Sequence, residues 1–249
     1  WNLQARAVVR SGAGWPAWLA TPELSWTHPD YPKLVSASVA RLWSWSGSEP
    51  AGAAGLVSVA FATASLGVLV FALARLRSRT PALLTGLLLV GTPFFLSFAP
   101  NQHADLPLAS FLLAAVALGA LGERWALAGL CAGFAAWTKN EGLLFAGVFA
   151  LGAGWHAWRS SARHALPKLL AGLAFALAPV LWLKLALAPS NDLLATPLGP
   201  RLAQLLAPDR HRLILEVLWR DLRGFGEWRL LPFLAMALPF AAWRARSHL

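Results

Sequence analysis

Apolar residues along this chain come in long blocks, not in the short alternations of water-soluble elements. The first fifty residues are mixed, with polar clusters between short apolar stretches, and predict a loop carrying interfacial helices, Leu34–Trp45 the clearest of them. Ala51–Leu76 predicts a membrane-spanning helix that ends in Arg75, Arg77 and Arg79. Pro81–Phe98 predicts the next span, with proline at a tolerated helix start, and Ala104–Leu121 the one after, closed by Glu123-Arg124. Leu166–Ala188 and the tryptophan-bracketed Trp228–Trp243 predict two more. Between them, Pro189–Glu227 contains Arg210–Arg223, where Leu, Ile and Val alternate with Arg at near-helical spacing, the pattern of an amphipathic helix lying on a surface.

Trp125–Trp158 is the instructive stretch. Two full crossings need about 40 residues, more than it provides, and a polar break, Thr138-Lys139-Asn140-Glu141-Gly142, sits in its middle. Two short helices meeting at a turn sunk below the interface satisfy both facts. Backbone leaving a helix at that depth must be sheltered by protein or line a wet cavity. Gly129 and Gly133 have the G-x-x-x-G spacing that lets two helices approach closely. The predicted fold class is therefore all-α, a multi-pass integral membrane helix bundle with outer-face loops and interfacial helices. Its parts are an outer loop over 1–50, a helix bundle over 51–188, an outer amphipathic segment over 189–227, and a last span with a basic tail over 228–249. No internal repeat is visible.

Composition agrees with the blocks. AVILMFWYC make up 57% of the 249 residues and charged residues 13%, against about 25% charged in an ordinary soluble domain. The net charge of +10 would suggest nucleic acid in a soluble protein. Here the basic residues fall largely in short loops between apolar blocks, where membrane topology explains them and nucleic acid is excluded as a partner. Threading the spans puts Arg75/Arg77/Arg79, Glu123/Arg124, Arg159/Arg163/Lys168 and Arg244/Arg246 on one side, expected to be cytoplasmic. The other side receives 1–50, 100–105, 138–142 and 189–227. Cys131 is the sole cysteine, so no intrachain disulfide and no Cys-based metal site can form. The chain begins at Trp1 without an initiator methionine or a signal-peptide pattern, and further sequence is expected upstream.

Four polar motifs share the outer face: Trp-Asn-Leu-Gln-Ala-Arg (1–6), His-Pro-Asp-Tyr-Pro (28–32), Gln-His-Ala-Asp (102–105) and Thr-Lys-Asn-Glu-Gly (138–142). His28-x-Asp30 and His103-x-Asp105 repeat one pattern, and an imidazole plus a carboxylate from each could complete a divalent-metal site. The plain alternative is a pair of ordinary loop turns. Asp105 opens an apolar helix as Asp-Leu-Pro-Leu-Ala, where a carboxylate is expected to cap the helix N-terminus. Lys139 is either a snorkelling cation paired with Glu141 or a point charge fixed to meet a lipid phosphate. Lys184, the one charge well inside a clear span, can snorkel outward.

In this order the motifs resemble the bacterial GT-C membrane glycosyltransferases, the group related to protein O-mannosyltransferases and lipid A aminoarabinose transferases. The matching stretches are 1–6, 28–32, Ala-Asp-Leu-Pro-Leu-Ala (104–109) and Ala-Gly-Phe-Ala-Ala-Trp-Thr-Lys-Asn-Glu-Gly (132–142), so the resemblance covers roughly 1–150. It implies transfer of a sugar from a polyprenyl-phosphate donor to an acceptor hydroxyl on a lipid, glycan or protein, with inversion, on the periplasmic face of a bacterial inner membrane. The chemistry asks for a carboxylate base and for cations that stabilise the leaving phosphate. The resemblance puts the main catalytic aspartate shortly before the segment matching Trp1, outside this chain, so the chain alone is expected to be inactive. It makes Asp105 the second acidic residue and Lys139 a phosphate contact. Arg6, His28, Asp30, Tyr31, His103, Asn140 and Glu141 would line the same cavity. A lipid-carrier flippase or transporter, or a non-catalytic assembly subunit, are the competing classes. The first would be expected to show internal repeats or charges at mid-span.

Overall fold

The computed structural model describes residues 2–19, 21, 26–122, 124–159, 163–189 and 197–224, and among these every regular element is helical. The expected last span, Trp228–Trp243, and the basic tail lie outside the described residues. The chain divides into two compact units, 1–89 with 98–190, and 90–97 with 191–249.

In the first unit, α1 (Asn2–Ser11) and α2 (Trp15–Leu19) precede α3 (Leu34–Ser46). Ala5, Val39, Ala40 and Trp43 close against Ala53, Ala54 and Val57 at the start of α4 (Gly52–Leu76), so α3 is packed rather than merely interfacial. The Trp43 indole donates to the Pro50 carbonyl at 3.0 Å, and Arg6 and Arg10 of α1 both meet Glu49, at 3.0 and 2.7 Å. After α4 comes α5 (Arg79–Val90), and the chain goes on to α6 (Pro93–Phe98), of which residues 93–97 belong to the second unit. The single span expected over 81–98 is thus two helices. Pro93 lacks the N–H a continuing helix would use and pushes Thr92 away from helical backbone, and the preceding Gly91 costs least to unwind.

α7 (Asp105–Leu121), α8 (Trp125–Thr138), α9 (Asn140–Arg159) and α10 (Ala165–Trp182, continued by a π-helical turn at Leu183–Leu187) complete the unit. Gly52–Leu76 and Ala165–Leu187 are long and apolar enough to cross a membrane; Arg79–Val90, Asp105–Leu121 and Trp125–Thr138 are shorter apolar helices. The two-helix expectation for 125–158 holds, with Lys139 extended between α8 and α9. α8 and α10 touch backbone to backbone. A Cβ on Gly129 would stand 2.0 Å from the Leu169 carbonyl oxygen, and one on Gly133 2.4 Å from the Ala176 Cβ. Glycine on the opposite helix answers them, since a Cβ on Gly172 would meet the Ala126 carbonyl at 1.9 Å. α4 and α7 are joined by hydroxyls, Ser65 and Ser110 lying 2.5 Å apart, the kind of polar contact that binds helices with apolar faces.

Burial is inverted relative to a water-soluble bundle. The buried set is dominated by alanine, whereas Leu144, Leu151, Phe175 and Leu185 point outward, Leu185 being 86% exposed. Small residues between helices and large apolar residues on the outside are what a lipid-facing surface requires.

In the second unit, α11 (Leu198–Leu206) and α12 (Pro208–Arg223) have no buried residues. α12 is the expected amphipathic helix, started by Pro208, with Arg212–Glu216 paired at 3.0 Å and Arg223 over the Trp219 ring at 4.6 Å.

Candidate functional site

Helix direction brings distant polar segments together. α4 begins beside the α6–α7 loop, where Ser58 donates to the Asn101 carbonyl at 2.8 Å, and α4 and α7 end beside one another, with Arg75, Leu118, Leu121 and Arg124 around one cleft. α8 returns to the first end, α9 leaves it, and α10 comes back. One end of the unit therefore holds residues 26–33, 101–105, 139–141 and 184, and the other holds Arg75 and Arg124.

At the first end lies a cavity of about 590 Å³ whose described lining is Asn2, Leu3, Gln4, Trp26, Thr27, His28, Tyr31, Gln102, Asp105 and Lys139. Its volume is within the range of ligand sites, roughly 300–1,000 Å³. Lys139 Nζ donates to Asp105 Oδ1 at 2.9 Å and stands 3.4 Å from Glu141 Oε1, so one half-buried ammonium serves two exposed carboxylates. The turn that presents it depends on Gly142. A Cβ there would sit 1.9 Å from the Ala135 carbonyl oxygen. Thr138 is fully buried and returns its hydroxyl to that same carbonyl at 2.6 Å.

The cap expected of Asp105 is not made. The cap position is Ala104, with no side-chain hydrogen bond, and Asp105 is the first helical residue. Its charge still lies favourably in the first turn, but its carboxylate is turned to Lys139.

A second network stands beside the first. Asn140 Nδ2 donates to Asp30 Oδ2 at 2.9 Å, and Lys184 Nζ donates to Asn140 Oδ1 at 2.6 Å and to the Asp30 main-chain carbonyl. Lys184 thus does not snorkel outward; it is turned inward and ties α10 to α9 and to the 28–32 loop. Lys33 is buried too and donates to the Pro29 carbonyl at 2.9 Å. Burial pulls its ammonium down to about 7, with Lys184 pushing the same way and Asp30 opposing.

The 28–32 loop is held against its own preference. His28 has φ +54°, a left-handed conformation that side chains with a Cβ adopt at a cost. Its carbonyl accepts from Tyr31 N at 3.0 Å and Gln4 Nε2 at 3.2 Å, and its ring stacks on Tyr31 at 4.9 Å. Burial raises the Tyr31 phenol above its ordinary value, with Glu141, Asp30 and Asp105 adding to the effect and Lys139 opposing it. Tyr31 therefore remains a neutral hydroxyl at the wall.

Not every expected residue comes to the cavity. Arg6 turns to Glu49 and lies 6.0 Å from the Trp43 ring, away from the lining. His103 is stacked on Phe98 at 4.6 Å. Among the described residues, no group of three or more His, Cys, Asp and Glu side chains could hold a metal ion. His28, Asp30, His103 and Asp105 do not converge as a ligand set, because Asp30 is taken up by Asn140 and Lys184, and Asp105 by Lys139. Gln4 and Gln102 come from the expected motifs at 1–6 and 102–105, whereas Trp26, Lys33 and Lys184 lie outside the four motifs. A lone lysine in an apolar span is the signal that could have found Lys184.

Residues 46–183 match the family described as dolichyl-phosphate-mannose-protein mannosyltransferase. That is more than half of the chain. The chain belongs to this family. The mannosyltransferase family lies in the GT-C group of membrane glycosyltransferases, which use a lipid-linked sugar donor. The match takes in both members of the Asp105–Lys139 pair and stops just short of Lys184. No curated protein and no solved structure matches the chain.

Proposed function

We propose that this protein moves a sugar from a polyprenyl-phosphate donor to an acceptor hydroxyl on a lipid, glycan or protein, at the outer face of a multi-pass bundle in a bacterial inner membrane. The observation that carries the reading is the Asp105–Lys139 pair on the wall of a ligand-sized cavity, with Glu141 beside the same ammonium, in a chain of a lipid-linked glycosyltransferase family. In the transfer, the bond between the anomeric carbon and the phosphate oxygen breaks as the acceptor oxygen bonds to that carbon from the opposite side. The acceptor proton passes to a carboxylate, and polyprenyl phosphate leaves with the electron pair. Negative charge grows on the phosphate, and Lys139 is the cation placed to meet it. Asp105 and Glu141 hold the ammonium until the phosphate arrives, and Asp105 is the acidic member facing the cavity.

Losing one preorganised contact of this kind costs about 10²–10³-fold in rate. Lys139→Gln in the full-length protein should depress kcat for transfer from a synthetic polyprenyl-phosphate mannose by that order and weaken donor binding. Glu141→Gln should act mainly on thermal stability. If Lys139→Gln keeps full turnover, or loses it only by unfolding, the lysine is structural and the assignment fails.

A further inference from the structure

Among the described residues, two buried side-chain atoms lack a hydrogen-bond partner, Gln4 Oε1 and Gln102 Nε2, and both belong to side chains lining the cavity. The coincidence is informative, since buried polar groups in folded proteins are nearly always paired. Gln4 is 2% exposed, and its amide cannot be turned around. Its Nε2 donates to the Thr27 carbonyl at 2.8 Å and the His28 carbonyl at 3.2 Å, and carbonyls can only accept. Oε1 is thereby left as an acceptor. Gln102, on the same cavity wall, has its amide nitrogen unpaired.

We infer that Gln4 and Gln102 form a hydroxyl-reading subsite for the sugar of the lipid-linked donor. An unpaired acceptor and an unpaired donor on two side chains of one cavity wall match hydroxyl groups, each of which can give one hydrogen bond and receive others. A phosphate has acceptors only and would be repelled by Gln4 Oε1. Trp26, 69% exposed on the same wall, adds an apolar ring for the C–H face of a pyranose. The division of labour is then chemical: Lys139 takes the phosphate, and the two amides read the sugar. Gln4 also joins recognition to loop shape, because the amide that offers Oε1 holds the carbonyl of strained His28.

The inference rests on the donor reading above, and its test separates the two. Binding of a short-chain polyprenyl-phosphate mannose, its monodeoxy analogues and bare polyprenyl phosphate is measured on the purified full-length protein and on Gln102→Leu. Gln102 makes no hydrogen bond to the fold, so the variant is expected to fold; Gln4→Glu serves as a second variant, with melting as the control for its loop contacts. At least one deoxy analogue should bind wild type about 5- to 100-fold more weakly than the parent, the range for leaving a buried polar group unpaired. Gln102→Leu should weaken the parent by a similar factor, lose discrimination against that analogue, and leave bare polyprenyl phosphate unchanged. Unaltered discrimination in both variants, or no discrimination by wild type, would overturn the subsite while leaving Lys139 untouched. Wild type that binds neither the sugar lipid nor bare polyprenyl phosphate would instead end the donor reading, and the subsite with it.

Discussion

The two ends of the helix bundle differ in the cations they shelter. At the cavity end the buried and half-buried cations are Lys33, Lys139 and Lys184, three of the chain's four lysines. At the other end stand Arg75, Arg77, Arg79, Arg124, Arg159 and Arg163, with Arg75 over the Phe71 ring at 5.9 Å and Arg159 over Trp155 at 4.4 Å. Lysine is a compact point charge whose proton affinity yields to burial, while arginine stays charged and lies flat on aromatic rings. The contrast separates a place built to hold charge in a sheltered site from a place built to anchor helix ends in the headgroup layer. Only the first requires each cation to be met by chosen acceptors, and there each is: Asp105 and Glu141 around Lys139, Asn140 and Asp30 around Lys184, and the Pro29 carbonyl at Lys33.

The sharpest way to break this comparison is an all-or-none experiment. If the arginine end is cytoplasmic, cysteine at Arg77 or Arg163 should react with an impermeant reagent only after cells are permeabilised, whereas cysteine at Gln102 should react in intact cells. Labelling of either arginine position in intact cells would put the two ends the wrong way round and remove the outer-face assignment.

Next in size is the glycine that builds the cavity end. Gly142→Val would place a branched side chain where even a Cβ lies 1.9 Å from the Ala135 carbonyl oxygen, backbone that cannot step aside cheaply. Overpacking typically costs about 1–3 kcal/mol and more against rigid neighbours, so loss of most folded protein is expected. Gly147→Val on the same helix, with nothing within 4 Å of its Cβ, is the control and should melt near wild type. Equal melting of the two variants would mean that α8 and α9 do not meet this closely.

Asp105→Asn comes third. The amide keeps a hydrogen-bonding oxygen for Lys139 but loses the charge, and the helix loses a favourable first-turn anion, worth about 0.3–1 kcal/mol. Transfer should fall by about 10²-fold, at the lower edge of the range for a positioned acid–base group, with melting little changed. Near-normal turnover would reduce Asp105 to a holder of Lys139.

What could be read beforehand follows physical range. α4, α7 and α10 are visible as apolar blocks because lipid demands them, and the split at 138–142 is visible because too few residues remain for two full crossings. The close approach of α8 and α10 is written in Gly129 and Gly133, although their partner Gly172 becomes apparent only once the helices are paired. α1 escapes because half of its ten residues are polar and because it is stabilised by α3 and Glu49, far along the chain. The helix break before Pro93 is signalled by Gly91-Thr92-Pro93 but is masked by an apolar block of span length. Side-chain partners were the least legible part. Asp105 has a locally sufficient role as a cap, and only the return of α8 brings Lys139 to compete for it. Lys184 likewise has a locally sufficient role as a snorkelling residue until the 28–32 loop and Asn140 surround it.

The smallest expected effect tests the lysine end itself through pH. Lys33 is buried beside Lys184 and Asp30, outside the membrane-spanning helices, and its ammonium is lowered to about 7 from the ordinary 10.5. The folded state therefore binds fewer protons than the unfolded state between those values. Stability must rise with pH across that window, and below about pH 7 the full cost of burying the charge is present. Lys33→Met removes the titrating group at similar length, giving up the bond to the Pro29 carbonyl but also the buried charge. Its melting should be nearly flat in pH where wild type climbs, and the difference between the two should change by about 1–2 kcal/mol from roughly pH 6.5 to 8.5. Arginine at the other end cannot give such a slope, because it does not lose its proton in this range, so Arg77→Met should track wild type. Parallel melting profiles for wild type and Lys33→Met would show that Lys33 keeps its proton when folded, and the distinction drawn between the two ends would then rest on Lys139 and Lys184 alone.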